Sequence, residues 1–141
     1  MYINKFRALL VIVSLLVLAM SVPANAPLFQ RESPIVTEAF TIGPGKYAWF
    51  RFGVPDNGGN VVGRFRASGG GGNDVEVYIL DEDGFENFKN GHRVQTYYNS
   101  GRVTVANINV SLSSGTYYLI FSNTFSSVSN KAVNGNVALR Y

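Results

Sequence analysis

The chain has 141 residues, 46% apolar and 15% charged, and contains no cysteine. That length fits one domain, the apolar share excludes a disordered tail, and the missing cysteine excludes a disulfide scaffold, cysteine zinc sites and a thiol nucleophile. The formal charge is +3, but with Lys5 and Arg7 set aside as part of a leader, ten basic and nine acidic side chains remain, which removes the electrostatic basis for binding nucleic acid or an anionic membrane.

Residues 1–24 read as a secretory signal peptide. Met1 to Arg7 is basic, Ala8 to Met20 is apolar apart from Ser14, and Ser21 to Ala26 is rich in small residues. This is the order of charged start, apolar middle and small-residue cut. A membrane anchor is the alternative, but an apolar span needs about 18 residues or more. Cleavage after Ala24 avoids placing Pro27 next to the cut, as cleavage after Ala26 would. The expected compartment is secreted or periplasmic, with no stable membrane span after cleavage.

Residues 25–33 form a polar, flexible arm, and residues 34–141 form the folded domain. Ile35 to Ile42 alternates in the strand period. Gly43-Pro44-Gly45 turns the chain. Lys46 to Val54 puts Ala48, Phe50, Phe52 and Val54 on one face, and Tyr47, Trp49 and Arg51 on the other. After the turn at Pro55 to Gly59, Val61, Gly63, Phe65 and Ala67 point inward, against Val62, Arg64 and Arg66. Gly69 to Gly72 reads as a flexible hairpin loop, and Asp74 to Leu80 as a strand with Val75, Val77 and Ile79 inward. Asp81 to Gly91 reads as one or two helical turns, with acids at the positive end and glycine at the C-terminal end. Arg102 to Leu112 switches parity near Ala106, which suggests a β-bulge. Thr116 to Ser122 and Ala132 to Tyr141 complete the strands, with Gly135 expected at a second bulge. The fold class is therefore all-β: a single antiparallel β-sandwich of about seven strands, jelly-roll or Ig-like.

Three stretches carry a family resemblance: Phe40 to Phe52 (FTIGPGKYAWFRF), Gly69 to Leu80 (GGGGNDVEVYIL) and Ser114 to Phe125 (SGTYYLIFSNTF). In this order they resemble the GOLD (Golgi dynamics) domain, over about Val36 to Tyr141. The resemblance implies a β-sandwich used for protein binding, with no catalytic residues to carry over. The coiled coil, C-terminal span, sorting tail and cysteine pair of the family's membrane-bound members have no counterpart here. A second similarity, through Gly115 to Leu119, is to small sandwich domains appended to secreted bacterial peptidases.

The candidate chemistry is sparse. His92 is the single histidine, so no zinc site or Ser-His-Asp order can be assembled. The four glycines lack the lysine and the following helix of a phosphate loop. Asn109-Val110-Ser111 is a glycosylation sequon inside an expected strand. Asp81, Glu82, Asp83 and Glu86 form the main acidic cluster. They read as helix-capping and solvated side chains, or as a calcium or basic-partner surface. The tyrosines and Trp49 offer stacking surfaces, and in each adjacent Tyr pair one ring must face in and one out. The expected binding residues are Asp81, Asp83, Glu86, Trp49, Tyr97 and Tyr98, with no catalytic residue, no resident metal and no required cofactor.

The expected function is a non-catalytic, exported module that binds a protein or cell-envelope component. The alternatives are a self-assembling homo-oligomer joined through β-edges by the arm, and a carbohydrate- or calcium-binding accessory domain.

Overall fold

The structure, a computed structural model, describes residues 30–141. The expected signal peptide lies outside the described residues. Nine strands and one helix follow in the order β1 (Glu32–Val36), β2 (Ala39–Ile42), β3 (Tyr47–Val54), β4 (Gly59–Ser68), β5 (Val75–Asp81), α1 (Glu82–Lys89), β6 (Tyr98–Val103), β7 (Val105–Leu112), β8 (Gly115–Ser122) and β9 (Lys131–Arg140).

All pairings are antiparallel. One sheet runs β1-β9-β4-β7, with β2 also on β9, and the other runs β3-β8-β5-β6. β1 and β2 share one edge position, because both pair with successive parts of β9. Eight strand positions, four per sheet, give the double Greek key of a jelly roll rather than an Ig sandwich.

One expected strand is divided in two, and another is divided and extended back to Tyr98, which accounts for nine strands instead of seven. Ile35 to Ile42 breaks at Thr37 and Glu38. Arg102 to Leu112 has no bulge at Ala106. The chain leaves the β8 sheet after Val103 and joins the β9 sheet at Val105. Thr104, at the crossing, accepts a hydrogen bond from the Ala67 amide at 2.7 Å. The parity switch in the sequence is thus a change of sheet.

Gly135 is not a bulge either, since the β4–β9 register is unbroken from Asn60 to Ser68. A Cβ at Gly135 would sit 3.3 Å from Val36 Cγ1 and 3.7 Å from Phe65 Cβ, so the glycine makes room for the core. The irregularity falls on β1, between Pro34 and Val36. Gly69 to Gly72 crosses from one sheet to the other and does not close a hairpin. β1 begins at Glu32, and Arg31 exchanges backbone hydrogen bonds with Tyr141. The last residues assigned to the arm are therefore paired within their own chain.

Inward parity fills the space between the sheets with Phe65, Val77, Leu119, Phe121 and their neighbours, while Phe50 is half-buried at its margin. Phe121 meets Phe40, Phe50 and Phe65 at ring distances of 5.2, 6.1 and 5.5 Å. A second apolar cluster lies on the outer face of the β8 sheet, where Phe85 of α1 packs with Leu80, Tyr118 and Ile120. This cover explains why β8 is buried continuously from Tyr117 to Ser122. A strand covered on both faces reads as a solid apolar run.

Candidate functional site

The helix that decorates the sandwich is built as its sequence indicates. Asp81 ends β5 with extended backbone and caps α1, its Oδ1 accepting from the Gly84 amide at 2.8 Å. Glu82 and Asp83 occupy the first turn, where the helix dipole favours acids. Asn90 is the C-cap, and Gly91 follows with φ 69°. Phe85 and Phe88, one turn apart, dock the helix onto the sheet. Phe85 stacks on Tyr118 at 4.1 Å, and Phe88 meets Tyr47 edge-on at 5.0 Å.

At the N-terminal end of α1 the sandwich opens into a hollow of about 320 Å³, lined by Asp81, Glu82, Asp83, Tyr97, Tyr117 and the turn from Ser114 to Thr116. The Tyr97 hydroxyl donates to Asp81 Oδ2 at 3.2 Å. Its ring stands edge-on to Tyr117 at 5.1 Å, and Tyr117 stacks in turn on Phe52 at 5.9 Å. Burial first, then the bond to Asp81, raises the Tyr97 phenol above its ordinary value. A phenol that ionises later stays a neutral hydrogen-bond donor at physiological pH.

Of the six expected binding residues, the fold brings Asp81, Asp83 and Tyr97 to this hollow. Trp49 lies on the adjoining outer face of β3, half-exposed, 5.4 Å from Phe85 and 5.9 Å from Tyr118. Glu86 is exposed farther along α1 and pairs with Lys89. Tyr98 packs against the inter-sheet core and donates to the Asn107 carbonyl at 3.3 Å. Tyr97 precedes β6 and stays half-exposed at the open end of the sandwich beside the inward Tyr117, so Tyr97 and Tyr98 are not divided by strand alternation. Tyr117 and Tyr118 are both buried, because α1 covers the outward one. Sequence reasoning placed Glu82 in the acidic cluster but not among the expected binding residues, and left Tyr117 and the Ser114–Thr116 turn out of the site. The turn lies more than 30 positions along the chain from Asp81, and only the pairing of β5 with β8, which sets Asp81 opposite Tyr117, joins them.

Among the described residues, no group of three or more histidine, aspartate or glutamate side chains converges to hold a metal ion. Asp74 and Glu76, near the acidic cluster in sequence, have partners of their own in Lys131 and Arg102. His92 is exposed just beyond the helix, its amide donating to the Asn87 carbonyl at 2.9 Å. No described helix is long and apolar enough to cross a membrane.

The family model described as emp24/gp25L/p24 family/GOLD matches residues 39–140, from the first residue of β2 to the last of β9. No curated protein matches the chain.

Proposed function

This chain belongs to the emp24/gp25L/p24 family/GOLD, and on that ground we propose that it is a non-catalytic, exported module that recognises a protein or envelope component at the acidic, aromatic end of the sandwich. Domains of this family are cargo-receptor-like and bind proteins, and its members work on the lumenal side of the secretory pathway.

The choice of surface rests on Tyr97. Its ring is 48% exposed, yet its hydroxyl is tied to Asp81 and its edge rests on Tyr117. An aromatic anchor fixed before binding loses little freedom when a partner arrives. Glu82 and Asp83 stand exposed at the rim. Carboxylates beside a ring face suit a lysine or arginine side chain, which takes charge from the acids and a cation–π contact from the ring. The partner segment is therefore basic.

Asp81 is excluded from the test because it caps the helix. A Glu82→Gln/Asp83→Asn variant, which removes the charges without setting cations against the helix dipole or against Arg51, should stay within about 1 kcal/mol of wild type and lose the partners that the wild type captures from the native extracytoplasmic fraction. Retention of every partner by the folded variant would place the binding surface elsewhere. Export is tested separately, since N-terminal sequencing of exported protein should begin at Asn25. An intact Met1 in a membrane pellet would overturn that part of the reading.

A further inference from the structure

We propose that the outer face of the β9 sheet, on which no described element packs, binds an extended acidic peptide through Arg64 and Arg66. β4 alternates the buried Phe65 and Ala67 with the exposed Arg64 and Arg66. The antiparallel register sets Arg64 between Asn136 of β9 and Asn107 of β7, with Asn134 beside Arg66. A shallow depression of about 300 Å³ runs between the arginines, Asn134 and Asn136. The helix α1 covers the opposite sheet, and among the described residues no element covers this face.

The two guanidinium groups have no counter-charge among the described residues, where the five ion pairs involve other cations. Neither arginine makes a side-chain hydrogen bond to a described residue. Side chains two apart on one strand are about 6.7 Å apart, and the neighbouring strands lie about 4.8 Å to either side. Two like charges at that spacing repel, and an anion relieves the repulsion.

The spacing selects the occupant. Alternate residues of an extended peptide repeat at the same distance as alternate residues of β4. A peptide with a carboxylate at every second position thus presents one to each guanidinium fork, which binds carboxylates in bidentate fashion. The flanking asparagines offer both a donor and an acceptor for the peptide's backbone. An acidic polysaccharide fits less well, because sugar rings stack on aromatic faces and no outward residue of β4, β7 or β9 in this face is aromatic. The chain's own N-terminal segment does not supply the anion, as its first acidic residue is Glu32.

Fluorescence anisotropy with two labelled octapeptides of equal composition tests this surface. One alternates threonine with glutamate, and the other places its glutamates at positions 1, 4, 5 and 8, so that no two stand two residues apart on one face. The alternating peptide should bind more tightly, and Arg64→Gln/Arg66→Gln should weaken it about tenfold or more. Arg64→Lys/Arg66→Lys, which keeps the charge without the fork, should fall between. Arg93→Gln, an exposed control away from the face, should change nothing. Equal binding of the two peptides, or binding indifferent to both double variants, would overturn the proposal. Tighter binding of an oligogalacturonate would reassign the face to acidic polysaccharide. Self-association without peptide, lost in the glutamine variant, would reassign it to a second copy of this chain.

Discussion

The ammonium of Lys131 is buried 3.0 Å from Asp74 Oδ1 and 3.1 Å from the carbonyl oxygen of Gly69. One cation thus fastens the glycine-rich crossover to the start of β9, with Phe125 closing over it at 5.9 Å. The hydrogen bond from Lys131, against a smaller cost of burial, lowers the Asp74 carboxyl below its ordinary 3.8. A carboxyl depressed by folding adds stability above its unfolded value, and that stability is lost as pH falls through the folded value. Asp74→Asn leaves a buried ammonium without its counter-charge and should cost about 1–3 kcal/mol at pH 7. The gap between the variant and the wild type should narrow as pH falls below 3.8 and through the lowered folded value. Urea midpoints at pH 7 and pH 2.5 check this. A constant gap between the two proteins at both pH values would mean that the ion pair does not carry the effect.

Asp81 and Asp83 are two residues apart and should respond differently to the same change. Both oxygens of Asp81 have partners, the Gly84 amide and the Tyr97 hydroxyl. Asp81→Ala removes a helix cap worth about 0.5–2 kcal/mol and frees the Tyr97 ring as well. Asp83 is exposed in the first turn, so Asp83→Asn should stay within about 0.5 kcal/mol of wild type. Thermal melts of the two variants decide it. Equal losses would show that the first-turn charges, and not the cap, hold α1.

Local signals in the sequence located the helix, its acidic start and its two docking phenylalanines, because capping, dipole and the three-residue spacing act within one turn. Strand parity likewise placed Phe65, Val77 and Phe121 in the core. The sheet change at Thr104 left only a parity switch, which a bulge produces equally well. The double burial of Tyr117 and Tyr118 depends on α1 returning over β8, a contact between segments about 30 positions apart in the chain. The hollow is assembled by the same long-range pairing, so the sequence showed Asp81, Asp83 and Tyr97 as separate features and gave no sign of the turn that faces them.

Gly63 and Gly53 both occupy strands, and only one of them is needed there. A Cβ on Gly63 would collide with the backbone oxygen of Asn136 and lie 2.6 Å from Val137 Cα. Gly53 has nothing within 4 Å of the same position. Gly63→Ala must push β9 away from β4 and should cost about 2 kcal/mol or more, as overpacking does. Gly53→Ala should be neutral or stabilising, since it restricts the unfolded chain. Denaturant midpoints compare them directly. A neutral Gly63→Ala would mean that β9 gives way easily at the centre of its sheet.

Trp49 is the chain's single tryptophan, and its ring lies 5.4 Å from Phe85, so its emission reports whether α1 is docked. The helix is eight residues long, too short to persist in water without tertiary support. Phe85 provides that support through Tyr118 and Trp49, whereas the sandwich core beneath is built from different residues. Phe85→Ala removes a buried ring and should destabilise docking by about 3–5 kcal/mol, by analogy with other aromatic core truncations. That exceeds what the remaining Phe88 contact can restore, so α1 should open while the sheets stay paired. Trp49 emission in the variant should then shift to the red at temperatures where the β-sheet circular dichroism is still native. Wild type should show one coincident transition by both probes. If Phe85→Ala also melts in one coincident step, the helix and the sandwich form a single cooperative unit, and the Phe85 cluster belongs to the global core.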